Sequence, residues 1–147
     1  MKYNILTKFI QDISFEIPSV KTQIFLEKEL PKYNVKCDVR SQLVKDNLIR
    51  VNVILKLQTE HEIKNKLNVE INYCAMTHIL EPVDNDALAK IILIDVPTDI
   101  YPTIYEIFIF LFVKSGVGNI NIQKDIDFKK LYDERLTAEK LKKKGKK

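Results

Sequence analysis

The segment that most restricts what this chain can fold into runs from Tyr101 to Lys114, YPTIYEIFIFLFVK, with seven unbroken apolar residues from Ile107 to Val113. Its length predicts a helix starting near Tyr101 and Pro102, because a strand of about 14 residues is unusual. The abundance of Ile, Phe and Tyr pulls toward strand, and length decides. Ile104, Ile107, Phe108 and Leu111 share one face, and Tyr105, Ile109, Phe112 and Val113 cover much of the rest. A helix apolar on every side has to be buried on every side. One small sheet covers a single face. The other calls for a second chain, or stands as an exposed patch that marks a binding surface.

The sheet is legible upstream. Residues 12–17, DISFEI, alternate strictly and stop at Pro18. Residues 34–44 place Val35, Cys37 and Val39 on one side and Lys36, Asp38 and Arg40 on the other, before a turn at Lys45-Asp46-Asn47. Ile49, Val51, Val53, Leu55 and Leu57 repeat at period two, and so do Leu67, Val69, Ile71 and Tyr73. Strands joined by short polar links are most simply antiparallel, with one oily and one wet face. The cluster Ile24-Phe25-Leu26 between charges, closed by Pro31, reads as a loop pinned to the core. Asp84-Asn85-Asp86 offers an N-cap for a helix carrying Leu88, Ile91 and Ile92, with Pro97 as its stop. Asn119–Gln123 reads as extended. Asp127 caps a last helix with Phe128, Leu131, Tyr132 and Leu136 on one face. The class is α+β. Residues 1–139 form one domain, and 140–147 form a flexible lysine-rich tail.

Charge then narrows the function. Lys and Arg number 24 and Asp and Glu 20, a formal net charge of +4. Six of the lysines fall in the last eight residues, and without them the body holds 18 basic residues against 20 acidic ones. This is a mildly acidic body with a cationic tail, so no nucleic-acid partner is expected of it. A nucleic-acid module using the tail is the rival from another class. The start has no secretory core and no apolar run approaches the roughly 20 residues of a membrane span, so a cytoplasmic protein without stable membrane insertion is expected.

Catalytic chemistry is nearly absent. There is no Gly-rich phosphate loop and no nucleophile elbow. His61 and His78 stand 17 positions apart and match no metal-ligand spacing. Cys37 and Cys74 make no CxxC and read as buried, inert thiols. Asp125 and Asp127 form a carboxylate pair that helix capping explains. Neither a metal, a cofactor nor an enzymatic activity is expected.

Five stretches in order nevertheless resemble one family. They are FIQDISFEIP (Phe9–Pro18), DNLIRVNV (Asp46–Val53), LNVEINYCA (Leu67–Ala75), PTDIYPTIYE (Pro97–Glu106) and INIQKDIDFKKLY, ending at Tyr132. Together they are similar to the bacterial protein-export chaperone SecB. The resemblance implies a four-stranded antiparallel sheet with helices on one face, assembled as a dimer of dimers. It implies a holdase that binds unfolded preproteins and passes them to the SecA motor, without nucleotide or cofactor. Ile104, Tyr105, Ile107, Phe108, Leu111 and Phe112 would then lie at the contact between dimers. Ile24, Phe25, Leu30, Val69, Ile71, Tyr73, Phe128, Leu131 and Tyr132 would line the client groove. Asp12, Glu16 and Glu70 would bind the basic tail of SecA from the wet face of the sheet. Departures from the pattern are Asn68, Ala75, Tyr105, Asp125 and the lysine-rich end. They leave open a divergent SecB-like chaperone for another client, such as an antitoxin.

Overall fold

The computed structural model describes residues 2–117 and 122–145, with side chains described as far as residue 142. Four strands make one antiparallel sheet: β1 (Tyr3–Glu16), β2 (Tyr33–Lys45), β3 (Leu48–Thr59) and β4 (Asn68–Ile79), in the order β1-β4-β3-β2. The β2–β3 hairpin turns at Asp46, whose φ of 49° is the left-handed geometry that Asp tolerates in a tight turn. Period two then sorts the side chains. Ile13, Phe15, Val35, Val39, Val51, Val53, Leu55, Val69 and Ile71 line the inner face. Asp12, Ser14, Glu16, Lys36, Asp38, Asn52, Lys56 and Glu70 line the outer one.

Two strands are longer than their alternation suggests. β1 begins at Tyr3 rather than near Asp12, because register shifts at Leu6 and Gln11 each break the period and hide the strand from pattern reading. β4 runs on through Cys74, Ala75 and Met76 to Ile79, so His78 lies within the strand.

The segment read as a loop is a helix. Ser19 accepts a hydrogen bond from the Thr22 N–H at 3.2 Å and starts α1 (Val20–Glu29), which buries Leu26. Thr22 donates to the Asn65 carbonyl at 2.7 Å, and the Gln23 amide donates to the Gly116 carbonyl at 2.8 Å. Polar ties to two distant loops hold this helix, which has little apolar stripe for a sequence pattern to detect.

The two prolines do not divide the next helix as expected. Asp84 caps α2 (Asn85–Lys90), its carboxylate accepting from the Ala87 N–H at 2.7 Å. One π turn, Ile91–Asp95, then leads into α3 (Val96–Lys114) without a break. Pro97 sits in the first turn of α3, where the wider π geometry just before it leaves room for the ring. Pro102 lies inside α3 on its exposed side, so the carbonyl it leaves unpaired faces water. By length and composition this continuous helix could cross a bilayer. Its stripe of Val96, Ile100, Ile104, Phe108 and Phe112 is instead buried in the core that it shares with the inner face of the sheet. Gly116, with φ 83°, follows its end.

After the undescribed 118–121, which hold most of the stretch read as extended, Asp127 accepts from the Lys130 N–H at 3.0 Å and starts α4 (Phe128–Gly145). Phe128 and Tyr132 are buried, Phe128 edge-on to Tyr101 at 5.9 Å, whereas Leu131 and Leu136 face outward. The helix continues into the lysine-rich end as far as Gly145.

Phe108 and Phe110 should therefore respond differently to truncation. Phe108→Ala removes a fully buried ring and should cost about 3–5 kcal/mol in urea unfolding. Phe110→Ala, at a ring 59% exposed, should stay within roughly 0.5 kcal/mol of the parent in a single chain.

Candidate interaction surfaces

The apolar side chains that the core does not use fall into separate surfaces. The first is α1, where Ile24 and Phe25 are 66% and 56% exposed and Val20 is still more open. Beneath it a cavity of about 330 Å³ lies between α1 and the loop after β3, lined by Phe25, Leu26, Tyr33, Ile63, Glu29 and Lys32. The Tyr33 hydroxyl accepts from the Leu67 N–H at 3.0 Å and fixes one wall. The second surface is the back of α3. Phe110 and Val113 are exposed there, and Tyr105, Ile107 and Leu111 are half-buried. The third is β1, an edge strand with one free ladder of backbone groups and with Leu6, Phe9 and Ile10 exposed.

The expected groove lining is redistributed. Ile24, Phe25 and Leu131 are exposed, and Leu30 is half-buried. Val69, Ile71, Tyr73, Phe128 and Tyr132 are core residues, closed to any client in this arrangement. Strand alternation turns the first three inward, and the last two lie on the side of α4 that packs onto the body of the chain. The residues expected at a contact between dimers also divide by burial within the single chain. Ile104, Phe108 and Phe112 are fully buried within their own chain, which leaves Tyr105, Ile107 and Leu111 partly accessible. Phe110 and Val113 are the exposed large apolar residues of this helix, and helical spacing on the face opposite Phe108 was the signal that could have found them.

The three acidic residues do come together. Asp12 and Glu16 lie on the outer face of β1, on either side of Ser14, and Ser14 pairs across the ladder with Glu70 of β4. Asp12 and Glu16 are exposed and Glu70 is half-buried. Among the described residues none of the three has an ion-pair partner. Beside them the Asn52 amide donates to the side-chain oxygens of Gln11 and Asn72, each at 2.7 Å. This ladder ties β1, β4 and β3 together and satisfies a buried polar group on the wet face.

Burial, with a smaller push from Asp38, raises the Cys37 thiol to about 12, and burial also raises Cys74. Burial raises the Tyr101 phenol to about 12, and its hydroxyl donates to the Gln123 carbonyl at 2.6 Å. No cluster of potential metal ligands occurs among the described residues.

The family model described as preprotein translocase subunit SecB matches residues 1–139. The chain belongs to the SecB family. A SecB relative of Pelagibacter ubique is 40% identical over 134 residues, 90% of this chain and 96% of its own length. The protein-export protein SecB of Rhodospirillum rubrum is 30% identical over 134 residues, 89% of this chain and 80% of its own. Among solved structures, a SecB-like chaperone of Mycobacterium tuberculosis in complex with a ChAD peptide from the HigA1 antitoxin aligns with TM-score 0.61. That alignment covers 83% of this chain and 86% of the other at 11% identity, and so shows a shared SecB fold. The four-stranded antiparallel sheet with its helices is the architecture of that neighbour.

The raised thiol and phenol set a sign for alkaline pH. Cys37 and Tyr101 are held neutral in the folded chain, so their full contribution is present below their unfolded values, about 8.5 and 10. It is lost as pH rises toward the folded value of about 12 that each carries. Urea midpoints should be flat from pH 7 to about 8.5 and fall above that, and Cys37→Ala should reduce the slope.

Proposed function

We propose that this chain is a cytoplasmic holdase of the protein-export route, acting by binding rather than by catalysis. It would keep unfolded preproteins competent for translocation and hand them to SecA. The observation that carries the reading is a SecB chain with a complete core that still exposes large apolar side chains on α1, α3 and β1. Burying apolar surface contributes roughly 25 cal/mol per Å² and does not read sequence, as a binder of many unfolded clients requires. Several weak segments held at once add avidity. The client stays unfolded because binding competes with its folding by mass action.

The exposed surfaces divide between self-assembly and clients. The free edge of β1 fits pairing with a second copy, and the back of α3 fits the meeting of two such pairs, giving a homotetramer. Ile24, Phe25 and the cavity under α1 remain for client side chains. Leu131, on the outward side of α4, is a further contact. The antitoxin peptide on the M. tuberculosis neighbour shows one client of that protein. Export is favoured here because relatives 40% and 30% identical are SecB export proteins.

Ile24→Ser combined with Phe25→Ser should shorten the time for which a chemically unfolded client is held, read as faster client refolding. The native mass should remain a multiple of 17.2 kDa. A solitary 17.2 kDa species at micromolar concentration that leaves client refolding untouched would sink the reading. Asp12→Lys combined with Glu70→Lys should weaken SecA binding at low salt while the assembly persists. Unchanged affinity would reject docking through this face.

A further inference from the structure

The acidic residues occupy only half of the outer face. Across β3 and β2 that face carries Lys56, Arg50, Lys36 and Arg40. Lys36 and Lys56 are directly opposite each other in the β2–β3 ladder, both exposed. Neither has an ion-pair partner among the described residues. Like charges in cross-strand positions destabilise a sheet. The one acid on this half, Asp38, lies 3.8 Å from Arg40. Arg50 reaches the Gln42 amide oxygen at 2.6 Å. Lys56 faces Glu70 on the next strand with no ion pair between them, so both charges remain free for an external partner. The outer face is thus split along the strand direction into an acidic strip on β1 and β4 and a basic strip on β3 and β2.

A partner of a single charge sign suits this face poorly. A polycation gains over β1 and is repelled over β2, and a polyanion meets the reverse. Neighbouring strands are about 4.8 Å apart, so the face is about 14 Å across from β1 to β2. That is roughly four residues of extended chain. The strips lie about one Debye length apart at physiological salt, close enough for one segment to feel both.

We propose that the outer face recognises a polypeptide segment carrying charge in two blocks, basic residues over β1 and β4 and acidic residues over β3 and β2. The proposal rests on this face being the docking side for SecA. It adds that the basic strip selects an acidic block in the docking segment.

Fluorescence anisotropy on the full chain tests it, with four labelled probes. One peptide has three lysines, a two-residue spacer and three glutamates. A second has six lysines, a third has six glutamates, and the fourth probe is polyuridine RNA. The block peptide should bind about tenfold more tightly than either uniform peptide. Lys36→Glu with Lys56→Glu should erase that advantage and leave the lysine peptide preferred. Equal affinity for the block and lysine peptides would overturn the inference while leaving acidic docking intact. Tightest binding of the glutamate peptide or of RNA would overturn it in favour of a polyanion site. Binding of purified SecA by a chain that ignores all four probes would also overturn it and leave the docking reading standing. Silence toward SecA as well would remove both.

Discussion

The dry contact between the inner face of the sheet and one stripe of α3 is the constraint on which the rest of this structure depends. Val51, Val53, Leu55 and Ile71 from the strands share a core with Ile100, Ile104, Phe108 and Phe112 from the helix, all almost wholly removed from solvent. A stripe of that width uses one side of a helix. The same sequence makes the other side apolar as well, and the sheet cannot reach it. Phe110 and Val113 are exposed because they lie on the side of the helix away from the buried stripe.

This surplus is the feature on which the proposed holding of unfolded chains rests. A domain that hides all its apolar area has nothing non-directional to offer an unfolded chain. Here the surplus is spread over α1, the back of α3 and the edge of β1, three places with different geometry. An edge strand offers a hydrogen-bonding ladder, which favours a defined partner. The open side chains of α1 offer only contact area, which suits clients without a common sequence.

The outer face follows a different logic. Alternation places charges there, and strand order decides which charges become neighbours. Because β4 rather than β2 pairs with β1, Glu70 joins Asp12 and Glu16, and Lys56 of β3 comes to border them. In the order β1-β2-β3-β4 the same strands would have placed the basic residues between the two acidic strands.

Period-two runs such as Ile49 to Leu57, a cap within Asp84-Asn85-Asp86, the cap at Asp127 and the outward pointing of Asp12 and Glu16 were legible in the residues alone, since each depends on neighbours a few positions away. The register shifts in β1 and the helical state of α1 were not. The first hide a strand by breaking its period, and the second is held by ties to Asn65 and Gly116, far along the chain. Pro97 and Pro102 misled for a related reason: a π turn and a solvent-facing carbonyl accommodate them, and both are properties of the assembled helix. The sequence by itself determined an α+β chain with more apolar surface than one sheet can cover. Only the tertiary structure decided which side chains hold that surplus, because Val69 and Ile24 are equally oily and burial depends on what packs over each.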